Sequence, residues 1–213
     1  MSTKLAIFDF DGTLADTYPV FIDSINTLAV KHRFRQVDAV DVPKLRGLSA
    51  AQVLAELQLP LRRLPAVTVD FRGMMRERIG EIKPFPGVPN ALRTLAEDPH
   101  VALAIATSNS ADIVEAVLGS SLLGCFVAVE CGASIFGKSR RLRRILASTR
   151  TSRDEAMYIG DEIRDAHAAK RVGIAFSAVA WGYTQPGALL GLNIARMFQT
   201  PGDLLDLSTR HSR

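Results

Sequence analysis

The chain alternates short apolar runs with segments of helical periodicity. Each run is nearly continuous in aliphatic and aromatic residues, as expected for strands that are buried on both faces of a parallel sheet. Between the runs, apolar residues recur at helical spacing, which indicates amphipathic helices. This alternation predicts an α/β fold with a Rossmann-like, doubly wound parallel sheet. The predicted strands lie at residues 4–8, 101–106, 126–129, 156–159 and 174–180, with a weaker one at 197–198.

One interval breaks this alternation. Roughly ninety residues separate the first two predicted strands, and their apolar positions follow a helical rather than an extended pattern. We predict three helices here, the second beginning at Ser49 and the third ending at Gly80. The interval is therefore interpreted as an inserted α-helical cap at residues 16–83, with the core formed by residues 1–15 and 84–213. A cap of this kind predicts an opening and closing motion about its two connections.

The composition excludes several classes of protein. Of the 213 residues, 47% are hydrophobic and two are cysteines, Cys125 and Cys131, which is too few for a disulfide scaffold or a four-cysteine zinc site. Asp9 stops the first apolar run before it reaches the length of a signal peptide. No run approaches the roughly 20 apolar residues of a membrane span. We therefore expect a cytoplasmic protein with no membrane partner.

The balance of charged residues indicates which class of partner the protein binds. The chain has 26 basic and 22 acidic side chains and a formal net charge of +4. The tightest basic group is Arg140, Arg141, Arg143 and Arg144, which surrounds a predicted helix instead of forming one stripe and has no aromatic residues nearby. This disfavours nucleic acid as a partner and favours a small anionic ligand. The sequence carries no signal for oligomeric state.

Two carboxylates follow the first predicted strand. Asp9 and Asp11 are two residues apart, so in an extended segment they would point to the same side. The carboxyl end of a strand is where open α/β sheets bind ligands. Adjacent carboxylates repel each other unless a proton or a cation lies between them. A hard divalent cation such as Mg²⁺ is the natural partner, and Gly12 would let the chain turn sharply just past the site.

A second acidic pair follows the predicted strand at 156–159. Asp161 and Asp165 are four residues apart, so both can face one point from a first helical turn. Glu162 is offset from them on that turn, and we expect it to be solvated or paired with an arginine. Two acidic strand ends in one sheet predict one shared metal site, formed by Asp9, Asp11, Asp161 and Asp165.

Polar residues at two further strand ends suit an anion. Thr107 and Ser108 follow the second long strand and precede a helix, where hydroxyls and free N–H groups can bind a phosphate oxygen. An ordinary helix N-cap explains the same two residues. Lys138 follows the strand at 126–129 and could neutralise a phosphoryl group, although a single lysine at a helix start is usually a surface residue.

The order of these motifs resembles the haloacid dehalogenase-like hydrolases. DFDGTL follows the first strand, a hydroxyl residue the second, a lysine the third, and GDxxxD the fourth. The resemblance covers nearly the whole chain. Within the superfamily the chain is most similar to the subgroup with a small helical cap, which includes phosphoglycolate phosphatases. The expected activity is magnesium-dependent hydrolysis of a small phosphorylated metabolite.

The resemblance also implies roles for individual residues. Asp9 is then the nucleophile that takes the phosphoryl group, and Asp11 is the general acid and base. Magnesium is held by Asp9, the backbone carbonyl of Asp11 and Asp161, with Asp165 nearby or acting through water. The residues expected to hold the phosphoryl oxygens are Thr107, Ser108 and Lys138.

Three other interpretations stay open at this point. Gly132 to Ser139 matches the phosphate-binding loop of nucleotide triphosphatases, but this would leave the two aspartates of the first motif without a role. A hexose-phosphate mutase would use the same aspartates, although the chain has Ala50 where those enzymes carry a cap arginine. A non-catalytic protein that binds a phosphate ligand is disfavoured because every expected catalytic side chain is present.

Substrate choice is expected to lie with the cap, since the core handles the phosphoryl group. Arg46 and Gly47, in the loop between the first two predicted cap helices, resemble the specificity segment of the family. Arg46 could meet a substrate carboxylate or hydroxyl, or it could be a plain surface arginine. Trp181 and Tyr183, after the fifth strand, could line the core side of the cleft.

Overall fold

A computed structural model describes residues 4–132 and 137–208 of the chain. Within these residues, six parallel strands form one sheet and two short antiparallel strands form a separate ribbon. In chain order the strands are β1 (Leu5–Phe8), β2 (Ala15–Asp16), β3 (Lys83–Pro84), β4 (Ala102–Ala106), β5 (Phe126–Glu130), β6 (Ala156–Gly160), β7 (Ala175–Val179) and β8 (Arg196–Phe198). The six-stranded sheet has the order β5-β4-β1-β6-β7-β8. Every predicted strand is confirmed.

Helices connect these strands. In chain order they are α1 (Tyr18–His32), α2 (Val42–Leu45), α3 (Ala50–Glu56), α4 (Leu64–Glu77), α5 (Val88–Ala96), α6 (Ala111–Leu123), α7 (Lys138–Thr149), α8 (Ile163–Val172) and α9 (Pro186–Leu189). Short 3₁₀ helices lie at Ala39–Asp41, Leu61–Arg63, Ile79–Glu81, Arg153–Glu155 and Pro201–Leu207. Among the described residues, no helix is both long and apolar enough to cross a membrane.

Strand β1 shows how the sheet is covered on both sides. Successive side chains of a strand point to opposite faces, so Ala6 and Phe8 pack with residues of α5 and α6, whereas Leu5 and Ile7 pack with residues of α7 and α8. All four β1 residues are fully buried. This confirms the predicted doubly wound α/β fold. Because β1 lies between β4 and β6, its carboxyl end is the switch point at which such sheets bind ligands.

Strand β5 differs from the prediction in its burial. It is the edge strand of the sheet and alternates between partly buried and exposed residues, with Val127 63% exposed. The prediction that every strand is buried on both faces was wrong here, because an apolar run does not reveal whether a neighbouring strand pairs with it.

The segment between β1 and β4 is helical, apart from one short ribbon. Strands β2 and β3 pair through Ala15 with Pro84 and Asp16 with Lys83, so the two connections to the helical segment are hydrogen-bonded to each other. Helix α4 ends at Glu77, and Gly80 lies in the following 3₁₀ turn rather than ending the helix. The helices have an apolar cluster of their own, which includes Ile25, Leu28 and Leu57. The exact domain boundaries at 16–83 stay a prediction.

Candidate active site

The predicted site residues meet at the carboxyl edge of the sheet. Asp9 directly follows β1, Thr107 follows β4, Asp161 follows β6, and Lys138 is the first residue of α7. Asp9 is held in line with the sheet because its backbone N–H donates to the Ile159 carbonyl at 2.8 Å. The four residues therefore reach one place from four different connections, and all four are buried.

Three of the predicted metal ligands form one cluster. Asp9, Asp161 and Asp165 each bring a carboxylate oxygen within 4.8 Å of the other two, and all three are buried. The Lys138 ammonium lies among them, 2.5 Å from Asp9 Oδ2 and in contact with Asp165 Oδ1. Lys138 thus pairs with two of the three carboxylates, and the positive charge of Arg164 also acts on Asp9.

Burial shapes the charge state of this cluster. Burial raises the pKa of Asp9 to about 7, against an ordinary value of 3.8, although the positive charge of Lys138 opposes the shift. Burial likewise raises the pKa of Asp161 well above its ordinary value, and Glu162 and Asp165 add repulsion. Burial alone would lower the pKa of Lys138, but Asp165 and Asp9 raise it above 10.5. Lys138 therefore stays charged, while Asp9 and Asp161 hold protons to higher pH than an ordinary aspartic acid.

Asp161 is fixed by the loops on either side of it. Its Oδ1 accepts from the Thr13 hydroxyl at 2.9 Å, and its Oδ2 accepts from the Tyr183 backbone N–H at 2.7 Å. Gly12 has φ +74°, and a Cβ at Gly12 or Gly182 would collide with the Asp161 side chain. Gly12 thus allows the turn that we predicted. It also leaves space for the Asp161 side chain, which the sequence alone does not reveal.

Asp165 is fixed by a different set of groups. Its Oδ2 accepts from the Glu162 backbone N–H at 3.1 Å, in a reciprocal cap at the start of α8, and its Oδ1 accepts from the Tyr158 hydroxyl at 3.3 Å. Asp161 precedes the helix, so the two carboxylates converge without sharing a helical turn. Glu162 pairs with Arg164, which is one of the two outcomes that we expected for it. Tyr158 is a site neighbour that we did not predict, because its position within an apolar strand gives it no polar signal.

Asp11 lies apart from the three clustered carboxylates. After Phe8 the chain turns, with the backbone N–H groups of Leu14 and Ala15 both donating to the Phe10 carbonyl, so Asp9 and Asp11 do not share an extended segment. The Asp11 carboxylate instead accepts from the Thr17 hydroxyl at 3.0 Å and the Asn109 amide at 3.1 Å. Burial raises the pKa of this carboxyl as well.

The two hydroxyl residues after β4 have different surroundings. Thr107 is fully buried, and its Oγ1 accepts from the Asn109 backbone N–H at 2.9 Å. The N-cap residue of α6 is Ser110, so Thr107 and Ser108 do not cap that helix. The Ser108 carbonyl accepts from Arg72, which reaches across from α4. Arg72 was not predicted, because only the fold brings α4 over this loop.

Arg46 joins the cap to the core. Its Nε donates to the Tyr183 carbonyl at 2.8 Å and its Nη2 to the Gly182 carbonyl at 3.1 Å, and its guanidinium lies over the Tyr18 ring. It is neither a free surface arginine nor fully available to a ligand. Gly47 follows it, with its backbone N–H bound to the Lys44 carbonyl.

The phosphate-loop motif at Gly132 to Ser139 lies partly outside the described residues, since 133–136 are not included. Of its described members, Lys138 is bound to Asp9 and Asp165, as given above. Lys138 therefore contacts Asp9, one of the two aspartates that the phosphate-loop interpretation leaves without a role.

Comparison with known proteins agrees with this geometry. A family model described as haloacid dehalogenase-like hydrolase matches residues 6–179. The chain is 31% identical over 208 residues to a phosphoglycolate phosphatase from Synechococcus elongatus, covering 97% of this chain and 98% of that protein.

Solved structures show the same fold at lower identity. A haloacid dehalogenase-like family hydrolase from Streptococcus pneumoniae superposes with a TM-score of 0.78 at 19% identity, covering 96% of this chain and 97% of that one. A variant of CbbY from Rhodobacter sphaeroides, in complex with xylulose-1,5-bisphosphate, gives a TM-score of 0.67 at 22% identity, covering 94% and 96%. The resemblance seen in the motifs is confirmed: the chain belongs to the haloacid dehalogenase-like hydrolase family and is a phosphatase.

Proposed function

We propose that the protein is a magnesium-dependent phosphatase that hydrolyses a small phosphate monoester through a phosphoryl group carried on Asp9. The observation that supports this most strongly is the placement of Asp9. Its carboxylate is buried at the end of the central strand, beside one lysine and two further carboxylates. A carboxylate needs no separate base to act as a nucleophile once it is ionised.

The donor set fits a hard divalent cation. Asp9, Asp161 and Asp165 are the carboxylates that would hold it, with the Asp11 backbone carbonyl as the further ligand that the family resemblance implies. Burial raises the pKa of Asp9 and Asp161, so the cluster carries an electrostatic cost that Lys138 offsets only in part. When bound, the cation supplies positive charge that keeps these carboxylates ionised and draws in the anionic substrate.

Phosphoryl transfer then uses the chain's own groups in two steps. In the first, an Asp9 oxygen forms a bond to phosphorus while the ester P–O bond breaks. In the second, a water oxygen attacks the same phosphorus, the bond to Asp9 breaks, and inorganic phosphate leaves. The contribution of the protein is mainly positioning and charge neutralisation, as this reaction class requires.

Asp11 is suited to move the protons of both steps. Burial raises its pKa, so it holds a proton closer to neutral pH than an ordinary aspartic acid does. It can give that proton to the leaving oxygen and then take one from the attacking water. Thr17 and Asn109 fix its carboxylate, so it does not swing into the cluster around Asp9.

Three groups would hold the transferred phosphoryl oxygens. The Lys138 ammonium lies 2.5 Å from Asp9 Oδ2, within reach of a phosphoryl group attached to that carboxylate. The Thr107 hydroxyl uses its oxygen to accept from Asn109, which leaves its proton available to donate. Ser108 lines the cavity beside Asp11 and adds a second hydroxyl.

We further propose that the substrate is a small phosphorylated metabolite of the cytoplasm, where the two cysteines, both free in the structure, would stay reduced. Phosphoglycolate is the first candidate to test because of the relative at 31% identity.

The test is a Mg²⁺-dependent screen of phosphate esters. The esters are phosphoglycolate, sugar phosphates and nucleoside monophosphates, and the readouts are released phosphate and rearranged ester. We expect phosphate release that needs Mg²⁺, is lost in Asp9→Asn and is kept in Asp154→Asn, an exposed control. Rearranged ester without phosphate release would support the mutase interpretation. Binding without turnover would indicate a non-catalytic phosphate-binding protein.

A further inference from the structure

A cavity of about 270 Å³ lies between the cap helices and the carboxyl edge of the sheet. On the core side it is lined by Asp11, Ser108 and Asn109, so it opens onto the proposed general acid. On the cap side it is lined by members of the cap's apolar cluster, such as Ile25 and Leu57. A substrate held at Asp9 would therefore direct its leaving group toward an apolar space.

The arginines that line this cavity each use part of their hydrogen-bond donor capacity within the protein. Arg46 donates to two backbone carbonyls, Arg72 donates to the Ser108 carbonyl, and Arg164 is paired with Glu162. Asp11 and Glu162 also line the cavity and would repel a second anionic group on the substrate. A carboxylate on the leaving group would thus share an arginine with its present partner and would lie close to acidic side chains.

On the cap side, the polar side chains that line the cavity besides Arg46 and Arg72 are those of Tyr18 and Thr68. Thr68 lines the cavity there, but its hydroxyl already donates to the Leu64 carbonyl at 2.8 Å. The apolar side chains on the cap side of this cavity suit an apolar group, since apolar cavities bind apolar molecules. An empty cavity also costs stability in proportion to its volume, because its lining loses packing contacts. An apolar group that fills the space recovers those contacts.

We propose that the preferred substrate is a phosphate monoester of an apolar alcohol, whose aliphatic or ring portion occupies this cavity. The proposal rests on the proposed function, since it concerns the leaving group of the same reaction. The bond to Asp9 forms as the ester P–O bond breaks, and the apolar alcohol leaves with the proton that Asp11 gives up. Release of the alcohol then empties the cap cavity.

The test compares ethyl, butyl and hexyl phosphate with phosphoglycolate, in the full chain with Mg²⁺. Because burial of each methylene group is favourable, we expect kcat/KM to rise about 3- to 4-fold per added methylene until the cavity is filled. Hexyl phosphate should exceed phosphoglycolate. Equal values for all alkyl esters, or a higher value for phosphoglycolate, would overturn the proposal.

Two variants on one helix provide a matched pair. Val67 lines the cavity and is buried, whereas Val69 on the same helix α4 is 66% exposed. Val67→Phe should lower the hexyl-to-ethyl ratio of kcat/KM about 10-fold, and Val69→Phe should leave it unchanged. Ala50→Leu, at another lining position, repeats the test if Val67→Phe fails to fold, and thermal unfolding checks each variant. An unchanged ratio in a folded cavity variant would contradict the proposal.

The same measurements distinguish failure of the cavity proposal from failure of the proposed function. If the esters are hydrolysed and Asp9→Asn abolishes this, but chain length has no effect, the proposed function stands and only the cavity proposal fails. If no ester is hydrolysed, or Asp9→Asn keeps full turnover, both fail together.

Discussion

The core edge and the cap face the same cleft but are packed differently. In the sheet, apolar side chains such as Phe8 and Ile105 are fully buried, with 0% exposure. In the cap's own apolar cluster, the buried side chains keep slight exposure, from 3% at Leu28 and Leu57 to 8% at Val67. These three cap side chains line the cavity described above. The sheet residues named here are thus fully enclosed, whereas the cap cluster borders the cavity that we propose holds the leaving group.

The core and the cap also differ in how their polar side chains are held. In the core, Asp161 and Asp165 are each held by a backbone N–H and a hydroxyl, so their positions are fixed before any ligand arrives. The cap is attached by the β2–β3 ribbon and by single arginines such as Arg46 and Arg72. The predicted opening of the cap would require such contacts to exchange partners, whereas loss of a buried core contact would leave a charge unpaired.

The largest effect of a single substitution is expected in the core, at Lys138. Lys138→Met should lower kcat about 10²- to 10³-fold, because the phosphoryl oxygens lose their buried cation. It should also lower the free energy of unfolding by about 3 to 5 kcal/mol, since Asp9 and Asp165 lose their partner. Steady-state kinetics and urea unfolding measure the two effects. Lys170→Met, at an exposed site on α8, should change neither, and equal effects of the two variants would refute the assigned role.

The same substitution in both regions tests the packing difference directly. Leu103 lies in the sheet and Leu28 lines the cap cavity. Leu103→Ala should lower the free energy of unfolding by about 4 kcal/mol, and Leu28→Ala by about 2 kcal/mol, because a side chain that already borders a void has fewer contacts to lose. Urea unfolding monitored by circular dichroism gives both values. A cost at Leu28 equal to or above that at Leu103 would mean that the cap is packed as tightly as the core.

The pH dependence of stability should come from the core cluster. Burial raises the pKa of Asp9 from 3.8 to about 7, so the folded state holds a proton that the unfolded state has released. Stability of the metal-free protein should therefore fall as pH rises between about 4 and 7. Denaturant unfolding in a chelator measures this fall. Asp9→Asn should make it shallower, because its amide does not titrate, and a variant with the slope of the parent protein would show that Asp9 is not responsible.

A smaller effect is expected where Thr13 supports Asp161. Thr13→Val removes the hydroxyl that donates to Asp161 Oδ1. Since such supporting hydrogen bonds orient metal ligands, we expect Mg²⁺ affinity to fall about 10- to 100-fold. The Mg²⁺ concentration that gives half-maximal activity measures it, with Thr94→Val at an exposed site as the control. An unchanged Mg²⁺ requirement would indicate that Asp161 is held by its other contacts alone.

The local pattern of apolar and polar residues predicted those parts of the fold and site that depend on neighbouring residues in the chain. The strands and the convergence of Asp9, Asp161 and Lys138 at one sheet edge follow from apolar runs and from residues at strand ends. The separation of Asp11 from Asp9 was missed because it depends on a turn that hydrogen-bonds to Phe10.

Features that depend on contacts between distant segments were not predicted. The β2–β3 ribbon is only two residues long on each side, too short for any strand pattern. In the sequence, Tyr158 has the pattern of an ordinary strand residue and Arg72 that of an ordinary helix residue. The fold places Tyr158 beside Asp165 and Arg72 beside Ser108. The cap cavity has no signature in the sequence, because a periodic apolar face looks the same whether it meets a neighbour or a void.

The central claim is that Asp9 carries the phosphoryl group. The most direct measurement uses the Asp11→Asn variant with para-nitrophenyl phosphate, whose leaving group needs no proton, while loss of the base slows the attack of water. After an acid quench, peptide mass spectrometry should find one phosphoryl group on the peptide that contains Asp9. A phosphoryl group on any other residue, or turnover without a phosphorylated protein at any time point, would contradict the account.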